Sequence, residues 1–558
     1  MPTSPMFICV TSAACLTFSW LGMASPPSPR QTLGALRTTA NQSPATTSHA
    51  QPERTTVSYV WIELSPKSIP QGGVQPKHTP LSDRALARRA RMQTDGKLVD
   101  SRDLPIDPSH IAAIGESGAR IRATSRWLNA VSVEATTQQL QRITALPCVK
   151  GLRPLHRSRR SAPIGGVSDL VLGEGSVAAM DYGYTTEQLA QIQVPSLHMR
   201  GLHGEGMVIG VLDTGFRRVH DAFHSSDHPL QVIAEWDFVA NDSNTDIQPG
   251  DHAEQHKHGT WILGTLAAYL PGAAIGCAYK AQFVLAKTED YANEVPIEED
   301  FYVAGLEFVE AHGADLATSS LGYIDWYTPE DLDGMTAVTT QAVNIATSHG
   351  MVCLTAAGNA GHDANPVTNH IIAPADAFAV ISCGAANADG SIAWFSSDGP
   401  TADGRIKPEL LARGVNVVSV HSTNTSGFQA VSGTSLSTPL IAGATALVMQ
   451  ARPDLDVDDL RSALISTASR SVAGAGFDPL FIEGFGVMSA RSAALTGRAR
   501  EDIDLNGVIG ASDLSLLLAN WGLCTEPDPI DGFCPSDLDG DGSVGASDLS
   551  LLLAAWSS

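Results

Sequence analysis

Between residues 180 and 497 the chain repeats one hydropathy pattern. A short continuous run of Val, Ile, Leu and Ala gives way to a polar turn and then to helically spaced apolar positions. The runs at 207–212, 282–286, 351–357 and 379–384 do not alternate apolar with polar residues. Strands of that kind are buried on both faces, so this unit is expected to be a parallel sheet in an α/β layer fold. The region before it differs. Residues 57–64 and 127–135 have strand character, 82–92 and 136–146 have helical spacing, and 149–152 forms a closing strand. That pattern predicts a small α+β domain over 57–154. Residues 25–56 are rich in Pro, Ser, Thr, Gln and Ala without apolar periodicity and read as a linker. A second linker is expected over 155–179. It contains the basic segment His156-Arg-Ser-Arg-Arg160, open to proteolysis.

A repeat closes the chain. Gly510-Ala-Ser-Asp-Leu-Ser-Leu-Leu-Leu-Ala519 returns unchanged at 545–554. A loop rich in oxygen-bearing side chains leads into each copy. Asp502, Asp504, Asn506, Val508 and Asp513 hold positions 1, 3, 5, 7 and 12 of the first loop. Asp537, Asp539, Asp541, Ser543 and Asp548 hold the same positions of the second. Gly507 and Gly542 stand at position 6. This spacing suits Ca²⁺. Asp rather than Glu occupies position 12, and a single helix follows each loop. Residues 500–558 are therefore expected to be a small all-α, EF-hand-like calcium-binding domain.

Composition narrows the function classes. The chain has 558 residues, 43% apolar and 17% charged, which indicates a folded protein. Its formal net charge of −24 excludes nucleic acid as a partner, because phosphate binding needs clustered Lys and Arg. The charge is uneven. Residues 1–160 carry 20 Lys+Arg against 9 Asp+Glu, 161–499 carry 14 against 39, and 500–558 carry 1 against 11. A basic segment thus precedes an acidic body, and the two should attract. Residues 6–23 are largely apolar, and Gly22-Met23-Ala24 offers a small-residue cleavage site. Residues 1–24 therefore read as a signal peptide and the protein as secreted, although no basic n-region is present. No later run reaches the length of a membrane span. The Cys residues show no metal-type spacing. Cys277, Cys353 and Cys383 lie in apolar runs and read as buried thiols. Cys524 and Cys534 flank one short loop and would pair in an oxidising compartment. Glu289, Asp290, Glu294, Glu298, Glu299 and Asp300 form an acidic cluster. It reads as a solvated face, with a calcium site as the sharper alternative.

Four segments of the middle unit carry candidate chemistry. A buried strand ends in Asp213-Thr-Gly. His258-Gly-Thr opens an apolar helical stretch. A second buried strand exits at Gly358-Asn359. Ser432-Gly-Thr-Ser435 leads into the apolar helix 440–449. Sites of open α/β sheets gather at the carboxyl ends of strands. A serine nucleophile needs a base for its proton, the base needs a carboxylate to orient it, and the oxyanion needs donors placed in advance. Taken singly, Ser435 would be a helix cap, Asp213 a turn residue and Asn359 part of a tight turn.

In the order Asp213, His258, Asn359, Ser435 these segments resemble the signature blocks of the subtilisin-like serine peptidases (peptidase S8). The resemblance covers roughly 180–497. It implies that Asp213 orients the histidine, His258 is general base and acid, Ser435 is the nucleophile and Asn359 the oxyanion donor. Ser320-Leu321-Gly322 resembles the family's substrate-binding strand segment. Phe395-Ser-Ser-Asp-Gly-Pro400 resembles the segment before the nucleophile block. Two departures stand out: Trp261 follows His258-Gly-Thr where the family has another His, and Leu436-Ser437 replaces Met-Ala. Both alter packing and leave the catalytic atoms available. His252 and His256 lie close by, so His258 is singled out by its Gly-Thr context.

Residues 57–154 resemble the family's inhibitory propeptide, most clearly at 127–134 and Leu146-Pro147, which implies a self-inhibited precursor. The tail resembles a type I dockerin, which implies a cohesin-type partner or attachment to a cell surface. A calcium-stabilised cap without a partner is the plainer alternative. The expected function is that of a secreted serine endopeptidase acting on proteins or peptides. The alternative is a catalytically silent subtilisin-like scaffold that acts as a calcium-dependent binding protein.

Overall fold

The computed structural model describes residues 57–92, 97–155, 168–170, 180–291, 298–324, 327–365, 367–523 and 534–557. The expected signal peptide, the linker 25–56 and the basic segment 156–160 lie outside the described residues. So do Glu294 and Cys524.

The small domain is a four-stranded antiparallel sheet. Val57–Leu64 lies between Ala130–Thr136 and Val149–Pro154, with Arg120–Ser125 at the far edge. Strand alternation gives this sheet two different faces. Val60, Ile62 and Leu64 pack with Ile114, Val131, Val133 and Ile143 under the helices Pro108–Glu116 and Thr137–Thr144. Tyr59 and Trp61 join a second cluster with Tyr302, Val303, Leu306 and Val309 of helix Glu298–Ala311 in the main unit. The strand expected at 127–135 starts later, at Ala130, because Asn129 turns the chain with φ 50°. Asn tolerates that left-handed backbone better than most residues.

The main unit forms the expected parallel sheet. Its seven strands run in the order Leu410–Arg413, Ile381–Ala386, Val352–Ala356, Leu316–Ser319, Val208–Asp213, Gln282–Lys287, Gln231–Asp237. Ile209, Val211, Phe283 and Leu285 belong to the cluster that contains helices Lys257–Ala267 and Thr434–Ala451. Val208, Leu212, Val284 and Ala286 belong to the opposite cluster, with Glu298–Ala311 and Val338–Ser348. Both faces are covered, which is why the strand sequences are continuous apolar runs. From Val208–Asp213 the chain passes to the edge strand Gln231–Asp237, returns to Gln282–Lys287 between those two, and then crosses to Leu316–Ser319 on the other side of Val208–Asp213. The crevice of such a sheet opens at the carboxyl ends of the strands where the order reverses. Within the expected linker 155–179, Ser168–Leu170 pairs antiparallel with Phe428–Val431.

Arginines of the small domain meet carboxylates of the main unit. Arg88, Arg89 and Arg126 converge on Glu310. Arg126 also reaches Glu307, which accepts from Ser125 Oγ and from the Trp127 backbone N–H. Arg122 pairs with Asp300 at 3.0 Å, and Arg84 and Arg91 both pair with Asp315. The acidic cluster is accordingly not a solvated face. Glu289, Glu298, Glu299 and Asp300 are buried. Glu289 accepts from the Tyr323 hydroxyl at 2.6 Å and Glu299 from the Tyr327 hydroxyl at 2.8 Å. Among the described residues these carboxylates form no group with metal-ligand spacing. Asp300 is covered by Arg122 and Ser132 of the small domain, and Glu289 and Glu299 are partnered by tyrosines of the main unit; a run of charges in the sequence carries no record of such partners.

Cys277, Cys353 and Cys383 are buried free thiols. Burial pushes the Cys353 thiol up to about 12, and the other two are raised for the same reason, which makes all three inert. Cys534 is disulfide-bonded. The tail holds the helices Ala511–Ala519 and Ala546–Ala554 and a short ribbon of Gly522–Leu523 with Ser543–Val544. Ile503, Leu517, Leu538, Val544 and Leu552 form its core. Among the described residues no helix is long and apolar enough to cross a membrane.

Candidate active site

Three adjacent strands bring the expected residues together. Asp213 is the last residue of Val208–Asp213. The neighbouring strand Leu316–Ser319 runs in register with it, Ser319 opposite Leu212, so Ser320 lies beside Asp213. Asn359 follows the next strand, Val352–Ala356. His258 and Ser435 stand in the first turns of Lys257–Ala267 and Thr434–Ala451, two helices packed on the same sheet face.

Asp213 is fully buried, and His258 is 5% exposed. His258 Nδ1 lies 2.8 Å from Asp213 Oδ1 and 3.0 Å from Oδ2. Thr214 steadies the carboxylate, donating to Asp213 Oδ1 from its backbone N–H at 2.7 Å and from Oγ1 at 3.1 Å. With Nδ1 donating to a carboxylate, Nε2 is left as the acceptor nitrogen. The other two histidines are engaged elsewhere. His256 Nε2 bonds the Ser422 carbonyl, and His252 stacks on Tyr291.

Pro439 shapes the surroundings of Ser435. It lies inside the helix and has no N–H, so the Ser435 carbonyl four residues back loses its helical donor. Ser320 Oγ supplies that hydrogen bond at 2.7 Å. In return Ser435 Oγ donates to the Ser320 carbonyl at 3.3 Å. Among the described residues no hydrogen bond joins Ser435 Oγ to His258. Asn359 is oriented by Thr434, whose backbone N–H and Oγ1 both donate to Asn359 Oδ1 at 2.9 Å. Its Nδ2 group remains, 3.6 Å from where a Cβ on Gly433 would stand. The supporting roles of Thr214, Thr434 and the Ser320 hydroxyl carry no signal of their own in the sequence. The Asp-Thr-Gly and Gly-Thr-Ser strings contained two of them.

The departures are absorbed by packing. Trp261 is buried and donates Nε1–H to Gln429 Oε1 at 2.9 Å. Leu436 is fully buried. Ser320, Leu321 and Gly322 follow the strand Leu316–Ser319 beside Asp213. Ile372 packs against Gly322, where a Cβ would stand 2.2 Å from its Cδ1. In the tail, Asp502, Asp504 and Asp513 each bring one carboxylate oxygen within 4.8 Å of the others, as do Asp537, Asp539 and Asp541. Asp548 is not in the second group; it accepts from the N–H groups of Leu538, Asp539 and Gly545. Asn506 Nδ2 donates to Asp504 Oδ2, Val508 N–H to Asn506 Oδ1, and Ser543 Oγ to Asp541 Oδ1.

The chain is similar to known proteins. The Subtilase family model matches residues 204–486, and that of the peptidase S8 propeptide domain of Bacteroidota matches 59–163. Subtilisin Savinase of Lederbergia lenta is 31% identical over 283 residues, 50% of this chain and 90% of that protein. Subtilisin E of Bacillus subtilis is 27% identical over 361 residues, 64% of this chain and 80% of that protein. The structure of fervidolysin from Fervidobacterium pennivorans, a keratinolytic enzyme related to subtilisin, superposes with a TM-score of 0.52 at 20% identity. That likeness covers 80% of this chain and 62% of the other, and it shows the shared fold. The chain belongs to the subtilase family and is a serine endopeptidase with an S8 propeptide.

Proposed function

We propose that Asp213, His258 and Ser435 are the catalytic triad of this endopeptidase, with Asn359 as oxyanion donor. The observation that carries the assignment is the buried Asp213–His258 pair at 2.8 Å beside the helix start that presents Ser435. Rotation of the Ser435 side chain away from the Ser320 carbonyl brings its hydroxyl to His258 Nε2. His258 takes the proton as Oγ attacks the scissile carbonyl carbon, and Asp213 stabilises the imidazolium. Negative charge on the carbonyl oxygen is met by Asn359 Nδ2–H and the Ser435 N–H, at a helix start whose dipole favours an anion. His258 then protonates the leaving amine. In the second half it deprotonates the water that hydrolyses the acyl-enzyme. Ser320, Leu321 and Gly322 are assigned to substrate main-chain binding, which suits a segment at a strand end next to the nucleophile.

Residues 57–154 act as an inhibitory propeptide, a role supported by the arginines that bind Glu307 and Glu310. The precursor is secreted through the leader 1–24. The test is the Ser435→Ala precursor. Its expected behaviour is to keep 57–154 covalently attached while the parent releases it. Normal maturation of the variant overturns the assignment.

The tail loops are assigned to Ca²⁺. The donors fit a hard cation, being grouped carboxylates, and Asp502 Oδ1 is buried without a hydrogen-bond partner. Asp502, Asp504, Asn506, Val508 and Asp513 hold one ion, and Asp537, Asp539, Asp541, Ser543 and Asp548 the other. Bound there, the ion cross-links its loop. Leu518 with Trp521 and Leu553 with Trp556 are exposed at equivalent repeat positions, which supports a dockerin-like module for a cohesin-type or surface partner. Calorimetric titration with CaCl₂ tests the ion sites; absence of binding sinks that assignment.

A further inference from the structure

The tail carries two copies of one loop, and the first is built into the peptidase. At position 4 the first loop has Leu505 and the second has Gly540. Both adopt left-handed backbone, with φ of 60° and 81°. Gly does so freely, whereas a side chain opposes it and stays there only when its surroundings hold it. Burial holds Leu505. It is fully buried, and it belongs to the main hydrophobic cluster of the peptidase unit rather than to the tail's own core.

Two polar contacts flank that anchor. Arg200 of the peptidase unit, 2% exposed, donates Nη1–H to the Ile503 carbonyl at 2.6 Å. Gly507 lies so close to Arg498 that a Cβ there would stand 2.5 Å from Nη1. The same guanidinium donates to the Ala451 carbonyl and pairs with Asp454 at 2.9 Å. Ala451 ends the helix that begins at Thr434 and carries Ser435. The second loop takes an arginine contact from within the tail, where Arg500 donates to the Asp537 carbonyl at 2.8 Å.

The first loop also has the chemistry to hold an ion. Carboxylate oxygens of Asp502, Asp504 and Asp513 lie within 4.8 Å of one another. Asp502 is 2% exposed, and its Oδ1 has no hydrogen-bond partner. A buried carboxylate oxygen without a donor, grouped with two further carboxylates, matches a hard divalent cation.

We propose that a divalent cation of the calcium class, bound at the first loop, braces the peptidase unit. It fixes the loop shape that keeps Leu505 in the core and the Ile503 carbonyl on Arg200. The second loop's cation acts within the tail alone. This brace rests on the assignment of the loops to Ca²⁺. A ligand that binds only the docked loop stabilises whatever that loop holds.

The test uses the full chain with Ser435→Ala, which prevents self-digestion, in CaCl₂ and in EDTA. Hydrogen exchange is read at 197–202 and 440–451, and calcium stoichiometry by calorimetry. Calcium is expected to slow exchange at 197–202 by about tenfold or more. Asp502→Asn with Asp513→Asn is expected to abolish that slowing, and Asp537→Asn with Asp548→Asn to leave it intact. Leu505→Gly, which adopts the same backbone without the anchor, is expected to keep two bound calcium ions and lose the protection. Undiminished calcium-dependent protection in Leu505→Gly overturns the brace, as does an equal loss in the second-loop variant. If no ion binds at the first loop, the brace and the calcium assignment fall together. If an ion binds there and 197–202 exchanges alike in CaCl₂ and EDTA, the brace alone falls.

Discussion

Ser320 and Ser435 hold each other at both ends. Ser320 Oγ–H donates to the Ser435 carbonyl at 2.7 Å, and Ser435 Oγ–H donates to the Ser320 carbonyl at 3.3 Å. The first bond replaces the one Pro439 cannot give; under the proposed triad the second breaks as Ser435 turns to His258. A helix interior normally excludes Pro because of that lost donor. Here the orphaned carbonyl is the means by which the strand end grips the helix start.

Ser320→Ala leaves the Ser435 carbonyl buried without this donor. The expected cost is about 1–3 kcal/mol of stability, the desolvation penalty of an unpaired buried acceptor. Thermal unfolding of the mature enzyme measures it, and kcat is expected to fall with the loosened helix start. An unchanged midpoint would show that water replaces the hydroxyl.

Asn359→Leu removes the Nδ2 donor while keeping side-chain size. The loss is expected in kcat, by about 10²–10³, with KM little changed, because the bond is made to the oxyanion rather than to the ground state. Thr434→Val keeps one of the two bonds that orient Asn359, so a smaller loss in kcat is expected. Steady-state kinetics on a peptide amide distinguishes the two.

Glu310 gives the precursor a pH dependence of known sign. Burial would raise its carboxyl, but Arg88, Arg89 and Arg126 outweigh burial and hold it at about 2, against an ordinary 4.5. Its contribution to stability is complete above the ordinary value and is lost as pH falls from there towards 2. Glu307 and Asp300 act in the opposite sense, since burial holds both carboxyls above their ordinary range. Glu310→Gln isolates the first effect. It is expected to destabilise the precursor by about 3–5 kcal/mol at neutral pH, because buried guanidiniums lose their carboxylate. It is also expected to flatten the acid limb of the unfolding midpoint, and a limb of unchanged slope counts against this account.

Salt separates encounter from docking. Glu310 and Arg89 have fully buried side chains, so added salt screens their pairing little. The basic and acidic segments attract over longer range. Addition of the 57–154 fragment to mature enzyme is expected to show an association rate that falls about tenfold or more with rising salt, at a nearly constant dissociation rate. Stopped-flow inhibition checks this.

Much of the site was legible without coordinates. Asp213, His258, Asn359 and Ser435 lie within short strings whose chemistry depends on neighbours in the chain, and the apolar runs showed which strands are buried on both faces. Strand 208–213 and the helix expected at 440–449, which lies within Thr434–Ala451, follow from local pattern for that reason. The remainder depends on distant neighbours. Glu298, Glu299 and Asp300 look solvated in a charge run, yet all three are buried, and Asp300 pairs with Arg122 of a domain far earlier in the chain.

Fold class, the order of the chemical groups and the two tail loops can be read from the residues alone, because hydropathy period and motif spacing are local properties. Which histidine faces Asp213, which donor replaces the one missing at Pro439, and which arginines meet Glu310 are settled by the folded chain. It alone separated Leu505 from Gly540, two residues at the same place in a repeat, by burying one in the peptidase core. Those outcomes turn on contacts between residues far apart in the chain, and such contacts exist only once the sheet has brought the segments together.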